Sequence, residues 1–141
     1  MDLYAIYLVS DSVGETADVV IRSALYQFET ENYQLKKYSY VQTTEEIDDI
    51  CAKAAEDEKA IIFYTFVKKE MADYMKSRIE HSNLIGVDIY SPILTGLGQL
   101  FQLPAKEKPG MNRQLNEDYF NRVEAIEFSV KYDDGRDPRG I

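Results

Sequence analysis

Seven consecutive residues, Ser10-Asp11-Ser12-Val13-Gly14-Glu15-Thr16, carry most of the chemistry that this sequence offers. They lie between an apolar run and an amphipathic one, where a strand would turn into a helix. The free N–H groups of a helix start attract an anion, and in an open α/β sheet ligands gather at the carboxyl ends of the strands. A phosphate suits such a loop. Gly14 would let the backbone approach closely, and the hydroxyls of Ser10, Ser12 and Thr16 could donate to phosphate oxygens. Asp11 and Glu15 could hold a magnesium ion or orient a hydroxyl, although without a metal they oppose a nearby phosphate. Ser12-x-x-Glu15 also has the form of a capping box, in which Ser12 covers the third helical N–H and Glu15 reaches back. Capping explains two of the residues and leaves the density of Ser, Asp, Gly and Thr to a ligand or a partner.

Other candidates have plainer readings. Thr43-Thr44-Glu45-Glu46 is a second capping box at a strand-to-helix junction. Thr65, Lys68 and Lys69 follow an apolar run and could add charge to the same sheet edge, but solvated lysines at a helix start account for them. His81 is the sole imidazole, and its place near a helix end suits a partner of the C-terminal dipole better than an acid–base catalyst. Cys51 lies on an apolar helix stripe and reads as core. Arg113, within Pro109-Gly110-Met111-Asn112-Arg113, and Arg136 with Arg139 are basic spots in an acidic chain that could grip phosphate. Asp133-Asp134-Gly135 reads as a C-terminal turn before a metal or acid–base pair.

These residues need elements to hold them. Leu3 to Val9, Ala60 to Phe66 and Leu84 to Tyr90 are short runs rich in Ile, Val, Tyr and Phe, and read as strands. The first two are almost unbroken by polar residues, as strands are when helices cover both faces of a parallel sheet. Gln34 to Val41 alternates and suggests a half-exposed edge strand. Between them apolar residues recur at helical steps: Ala17, Val20, Ile21, Ala24, Leu25 and Phe28, then Ile47, Ile50, Cys51 and Ala54, then Val67, Met71, Tyr74, Met75 and Ile79. Strands and helices therefore alternate, which predicts an open, doubly wound α/β domain with a parallel sheet of about four strands and helices on both faces; the pattern leaves the strand order open, 2-1-3-4 being one common arrangement. A further helix should follow Tyr90, capped by Ser91, started by Pro92 and weakened by Gly96 and Gly98. After the loop PAKEKPG, Tyr119, Val123, Ile126 and Val130 mark a helix from about Asn116 to Tyr132.

The 141 residues suit one domain, with 45% hydrophobic and 29% charged residues typical of a globular protein. A net charge of −9 repels phosphate backbones and anionic lipid, so generic nucleic-acid or membrane binding is disfavoured. One Cys and one His cannot supply the usual structural zinc set, and the lone Cys fits a reducing cytoplasm. No secretory leader and no apolar stretch approaching membrane-spanning length is visible.

IYLVSDSVGET with its following helix, PGMNRQLNEDYFNRVEAIEFSVKYDDG, and the closing DPRGI resemble the N-terminal half of the pyruvate phosphate dikinase and phosphoenolpyruvate synthase regulatory proteins. The likeness runs through essentially the whole sequence. It implies a bifunctional enzyme that phosphorylates a threonine of the dikinase or synthase, switching it off. The same enzyme removes that phosphate by phosphorolysis with inorganic phosphate, releasing pyrophosphate. The resemblance implies ADP or ATP together with inorganic phosphate and magnesium in the intact protein, ADP being the donor in the dikinase regulators. Family members continue past DDGRDPRGI into a strand and a Gly-rich P-loop with a lysine, which this sequence does not contain. Residues 1–132 are then expected to form the N-terminal α/β domain and 133–141 the link to the P-loop domain. The resemblance implies that the Ser10 to Thr16 loop binds phosphate or the target threonine near that second domain. Arg113, Asp134 and Arg136 become secondary contributors, and the 141 residues alone should be inactive as a kinase.

Two other readings stay open. The loop after the first strand also looks like a flavodoxin phosphate loop that would bind FMN, with one of the eleven tyrosines stacked on the flavin. Alternatively the domain only docks the target enzyme, with all chemistry elsewhere. Self-association is left open.

Overall fold

Tyr4–Ser10 forms β1, whose residues from Ala5 onward are all buried, as its nearly unbroken apolar run requires of an interior strand. The computed structural model describes residues 3–110. After β1 come α1 (Glu15–Leu25), β2 (Tyr33–Tyr38), α2 (Thr44–Glu56), β3 (Ala60–Thr65), α3 (Lys69–His81), β4 (Ile85–Asp88) and α4 (Tyr90–Phe101). The sheet is wholly parallel, as expected, and its order, which the sequence pattern left open, is β2-β1-β3-β4. The chain groups into two compact units, Met1–Pro109 and Gly110–Ile141, and every element named here belongs to the first. The expected helix at 116–132, the boundary after residue 132, and the candidates Arg113, Asp134 and Arg136 lie outside the described residues.

Alternation along the strands divides the core in two. Ala5, Tyr7 and Val9 of β1 and Ile62 and Tyr64 of β3 point to the face covered by α2 and α3, where they meet Ile47, Cys51, Ala54, Met75 and Ile79. Ile6 and Leu8 point to the other face and meet Ile21 of α1. Helices thus cover both faces, but unequally: among the described residues the α1 side has the smaller buried cluster. Tyr7 is fully buried and donates its phenol hydrogen to Asp57 at 2.5 Å, which satisfies its one polar atom. Burial, then the adjacent Asp57, pushes the Tyr7 pKa far above the ordinary phenol value.

Where the sequence pattern and the structure differ, a competing interaction decides. The α1 stripe ends early: the helix stops at Leu25, Val20 is half exposed and Phe28 lies outside it and is exposed, while Ala17 and Ile21 are buried and Leu25 packs partly buried against Ile6, Leu8 and Ile21. The expected strand 34–41 ends at Tyr38, since Tyr40 adopts a left-handed φ of 57° that no strand accommodates. Val67 precedes α3 rather than starting it. Ser91 does not cap α4; it sits inside the helix, and its own N–H donates to Asp88 Oδ1 at 2.9 Å, so the carboxylate at the end of β4 takes that role. The Thr43 box forms as expected, with Glu46 N–H donating to the Thr43 hydroxyl and the Glu46 carboxylate accepting from Thr43 N–H.

Candidate functional site

From the end of β1 the chain turns back into α1 toward β2, whereas from the end of β3 it turns into α3 toward β4. The carboxyl ends of β1 and β3 are therefore the point where the connections diverge, the place where doubly wound sheets open a crevice. Ser10 lies opposite Thr65 there, and both are buried. The loop that was rich in hydroxyls and acids in the sequence thus stands at the switch point.

Its conformation differs from the capping box that Ser12 and Glu15 suggested. Gly14, not Ser12, is the N-cap, in the left-handed region at φ 91°, and no side chain among the described residues caps the helix. The reason is local. The Ser10 hydroxyl accepts the Ser12 N–H at 3.0 Å, which bends the chain before Ser12 can reach a helical amide. The left-handed step needs a glycine, and a Cβ at Gly14 would meet Lys37 Cε at 3.3 Å and Ser10 Cβ at 3.4 Å. Asp18 N–H makes the first intrahelical bond, to the Gly14 carbonyl. The amides of Glu15, Thr16 and Ala17, which a helix start leaves without an intrahelical acceptor, thus have no side-chain cap over them.

A segment without obvious sequence signal holds this loop. Ser39 donates its hydroxyl to the Val13 carbonyl at 2.7 Å, Tyr40 N–H donates to the Ser12 carbonyl at 2.9 Å, and Val41 N–H donates to the Ser10 carbonyl at 2.9 Å. Three carbonyls of the loop are thereby engaged from the β2–α2 side. Beside it Lys37, from the end of β2, places Nζ 3.5 Å from Asp18 Oδ2. Asp18 is also paired with Arg22, whose hydrogen bond foremost draws its carboxyl below the ordinary value. On the other side the Tyr90 hydroxyl donates to Thr16 Oγ1 at 3.3 Å, joining the start of α4 to that of α1.

The two acidic candidates separate. Glu15 is exposed in the first turn, whereas Asp11 is buried and accepts the Val67 N–H at 2.9 Å. Burial raises the Asp11 pKa, opposed by the Val67 hydrogen bond and by the charge of Lys68. Asp11 is thus spent on the loop after β3. Among the described residues no group of three or more acidic, His or Cys side chains is placed to hold a metal ion.

The remaining candidates fall where the plain readings put them. Lys69 pairs with Asp73 at 2.9 Å on the exposed surface, and Lys68 is the N-cap of α3. His81 ends α3 with Nδ1 2.7 Å from the Ser77 carbonyl oxygen. Cys51 is buried, 3.8 Å from the Met75 sulfur. A recess of about 690 Å³ at the opposite, amino-terminal end of the sheet is walled mainly by Tyr4, Ile6, Leu25, Tyr33, Ile61 and Ile85. It lies away from the hydroxyls and open amides of the loop, so volume and chemistry do not coincide, and the chemistry of the donors places the candidate site at the loop.

With this geometry in place, comparison with known proteins is decisive for kinship. The family model described as kinase/pyrophosphorylase matches residues 6–141. The chain belongs to the kinase/pyrophosphorylase family. Relatives named pyruvate, phosphate dikinase regulatory protein include one from Alkaliphilus oremlandii, 42% identical over 96% of this chain and 49% of its own length. Those from Bacillus velezensis and Bacillus subtilis are each 45% identical, over 100% and 96% of this chain and 53% and 51% of their own lengths. The chain thus spans about half the length of these kinase/pyrophosphorylase relatives. No helix among its described residues is long and apolar enough to cross a membrane.

Proposed function

We propose that this chain is the N-terminal domain of a bifunctional serine/threonine kinase and phosphate-dependent phosphorylase that regulates pyruvate phosphate dikinase or phosphoenolpyruvate synthase. The names of the relatives favour the dikinase. The observation that carries the reading is the uncapped start of α1 at the switch point, with Lys37 beside it. In the kinase direction the target threonine oxygen takes a phosphoryl group from ADP, leaving AMP. In the opposing reaction inorganic phosphate takes that group from the phosphothreonine, forming pyrophosphate and leaving the free hydroxyl. Both reactions bring anions together, and preorganised N–H donors and a lysine lower the cost of doing so. In this reading the Glu15, Thr16 and Ala17 amides and the Ser12 and Thr16 hydroxyls bind phosphate or the phosphorylated target. Ser10 and Asp11 shape the loop from within. ADP or ATP belongs to the P-loop domain of the intact protein, and the 141 residues alone do not transfer phosphate.

One observation favours a docking role for the same loop. Glu15 and Asp18 occupy the first turn of α1, where their charges compete with an incoming anion for the helix dipole. The loop would then hold the target polypeptide around its threonine rather than the transferred group.

The test is a phosphorylation assay of the intact protein on both targets with ADP and with ATP, run beside the 141-residue chain. The intact protein should modify the dikinase and the short chain should not. Replacing Ser12, Gly14 and Thr16 in the intact protein should lower the transfer rate with the fold retained. Wild-type rates in those variants would remove the loop from the site, and lost target affinity at an unchanged maximal rate would select docking.

A further inference from the structure

Among the described residues Asp11 is the one acidic side chain in the buried class, exposed by only 4%. It immediately follows Ser10, which lies opposite Thr65 across the β1–β3 pairing, so it stands where the two loops of the switch point part. Its Oδ2 accepts the N–H of Val67 at 2.9 Å, on the loop that leads from β3 into α3. The next residue, Lys68, is the N-cap of α3, and its charge favours the ionised form of Asp11. An ionised carboxylate removed from water is costly even when hydrogen-bonded, and a neutral amide oxygen would accept the same N–H at lower cost. The backbone amides of Val67, Asp11 and Lys68 and the Lys68 charge all favour the ionised form, yet burial outweighs them, so a charge is not the cheapest way to hold this loop. A charge-assisted bond is about twice as strong as a neutral one, so what the charge adds is a tighter tie between the loops.

We propose that Asp11 is a positioning residue whose carboxylate ties the β1–α1 loop to the β3–α3 loop, so that the two present one surface to the phosphorylated target. The proposal rests on the phosphotransfer reading for its functional part. Asp11 itself does not touch the ligand. It fixes where the open amides at the start of α1 stand relative to Lys68, and it exchanges stability for that placement.

Asp11→Asn and Asp11→Ala in the intact protein test this, with kcat, KM for the dikinase, Tm and backbone amide exchange measured on each. Asp11→Asn should keep or raise Tm while kcat/KM falls by about tenfold or more, the scale expected of misplaced groups. Asp11→Ala should lower both, and should speed exchange in two places at once, at Val67 and Lys68 and at residues 12–15. A merely structural Asp11 would move stability and activity in the same direction in Asp11→Asn, which would overturn the proposal, as would wild-type kcat/KM in that variant. Faster exchange confined to one of the two loops in Asp11→Ala would overturn it as well. If the wild-type protein transfers no phosphate to either target, the functional reading fails instead, and the exchange measurement alone decides whether the tie exists.

Discussion

The hydroxyl of Ser39 donates to the carbonyl of Val13 at 2.7 Å, across twenty-five intervening residues that contain a helix and a strand. With the neighbouring bonds from Tyr40 and Val41, it presses the carbonyl side of the β1–α1 loop against the chain leaving β2. Replacing Ser39 with Ala should lower the free energy of unfolding by about 1 kcal/mol, the usual net worth of one hydrogen bond. Denaturant titration of the 141-residue chain measures this, and no change would mean that water replaces the hydroxyl without loss.

Two glycines should respond in opposite directions to the same substitution. Gly14→Ala puts a Cβ at a left-handed φ of 91° and against Lys37 and Ser10, and should cost about 1–2 kcal/mol. Gly96 lies within α4 with nothing within 4 Å of where a Cβ would be, so Gly96→Ala should stabilise by about 0.5–1 kcal/mol. Thermal melts of the two variants side by side check the sign of each.

The capping box of α2 gives a pH-dependent prediction. Hydrogen bonds from the Gln42 N–H foremost, and from Thr43, hold the Glu46 carboxyl below its ordinary value. Its contribution to stability is therefore present in full above the unfolded pKa and is lost as pH falls through the folded one. The group is exposed, so the effect is small. Unfolding measured from neutral to acid pH should show Glu46→Gln less stable than wild type at neutrality, with the gap closing on acidification. Thr43→Ala, which removes the cap itself, should cost about 0.5–2 kcal/mol.

Burial raises the pKa of the Cys51 thiol, so at neutral pH it is protonated as well as inaccessible. A thiol reagent should modify it at the rate of unfolding rather than at the rate of a free thiol. Fast labelling of the native chain would contradict the packing against Met75.

The strands were legible because runs such as Leu3 to Val9 and Ala60 to Phe66 have one physical use in a domain of alternating strands and helices, as the covered middle of a sheet. The position of the loop was legible for the same reason, since it follows β1. Its conformation was not. The spacing of Ser12 and Glu15 describes a capping box, but it carries no record of Gly14 taking a left-handed turn or of Ser10 capturing the Ser12 amide. Ser39 to Val41 gave no signal because their role depends on a partner distant in sequence. Asp88 displaced Ser91 as the cap of α4 because the strand ended earlier than its apolar run, which freed a carboxylate at the right distance.

Among the described residues the two sides of the sheet are unequally defended against water. Ile6, Leu8 and Ile21 anchor the side under α1, while the opposite side has the larger share of sealed apolar contacts. Local opening should begin where least is lost, with α1 lifting before the β1–β3 pair separates. The glycine-capped end of that helix can therefore be reshaped through a partial, reversible excursion that leaves the rest of the molecule native.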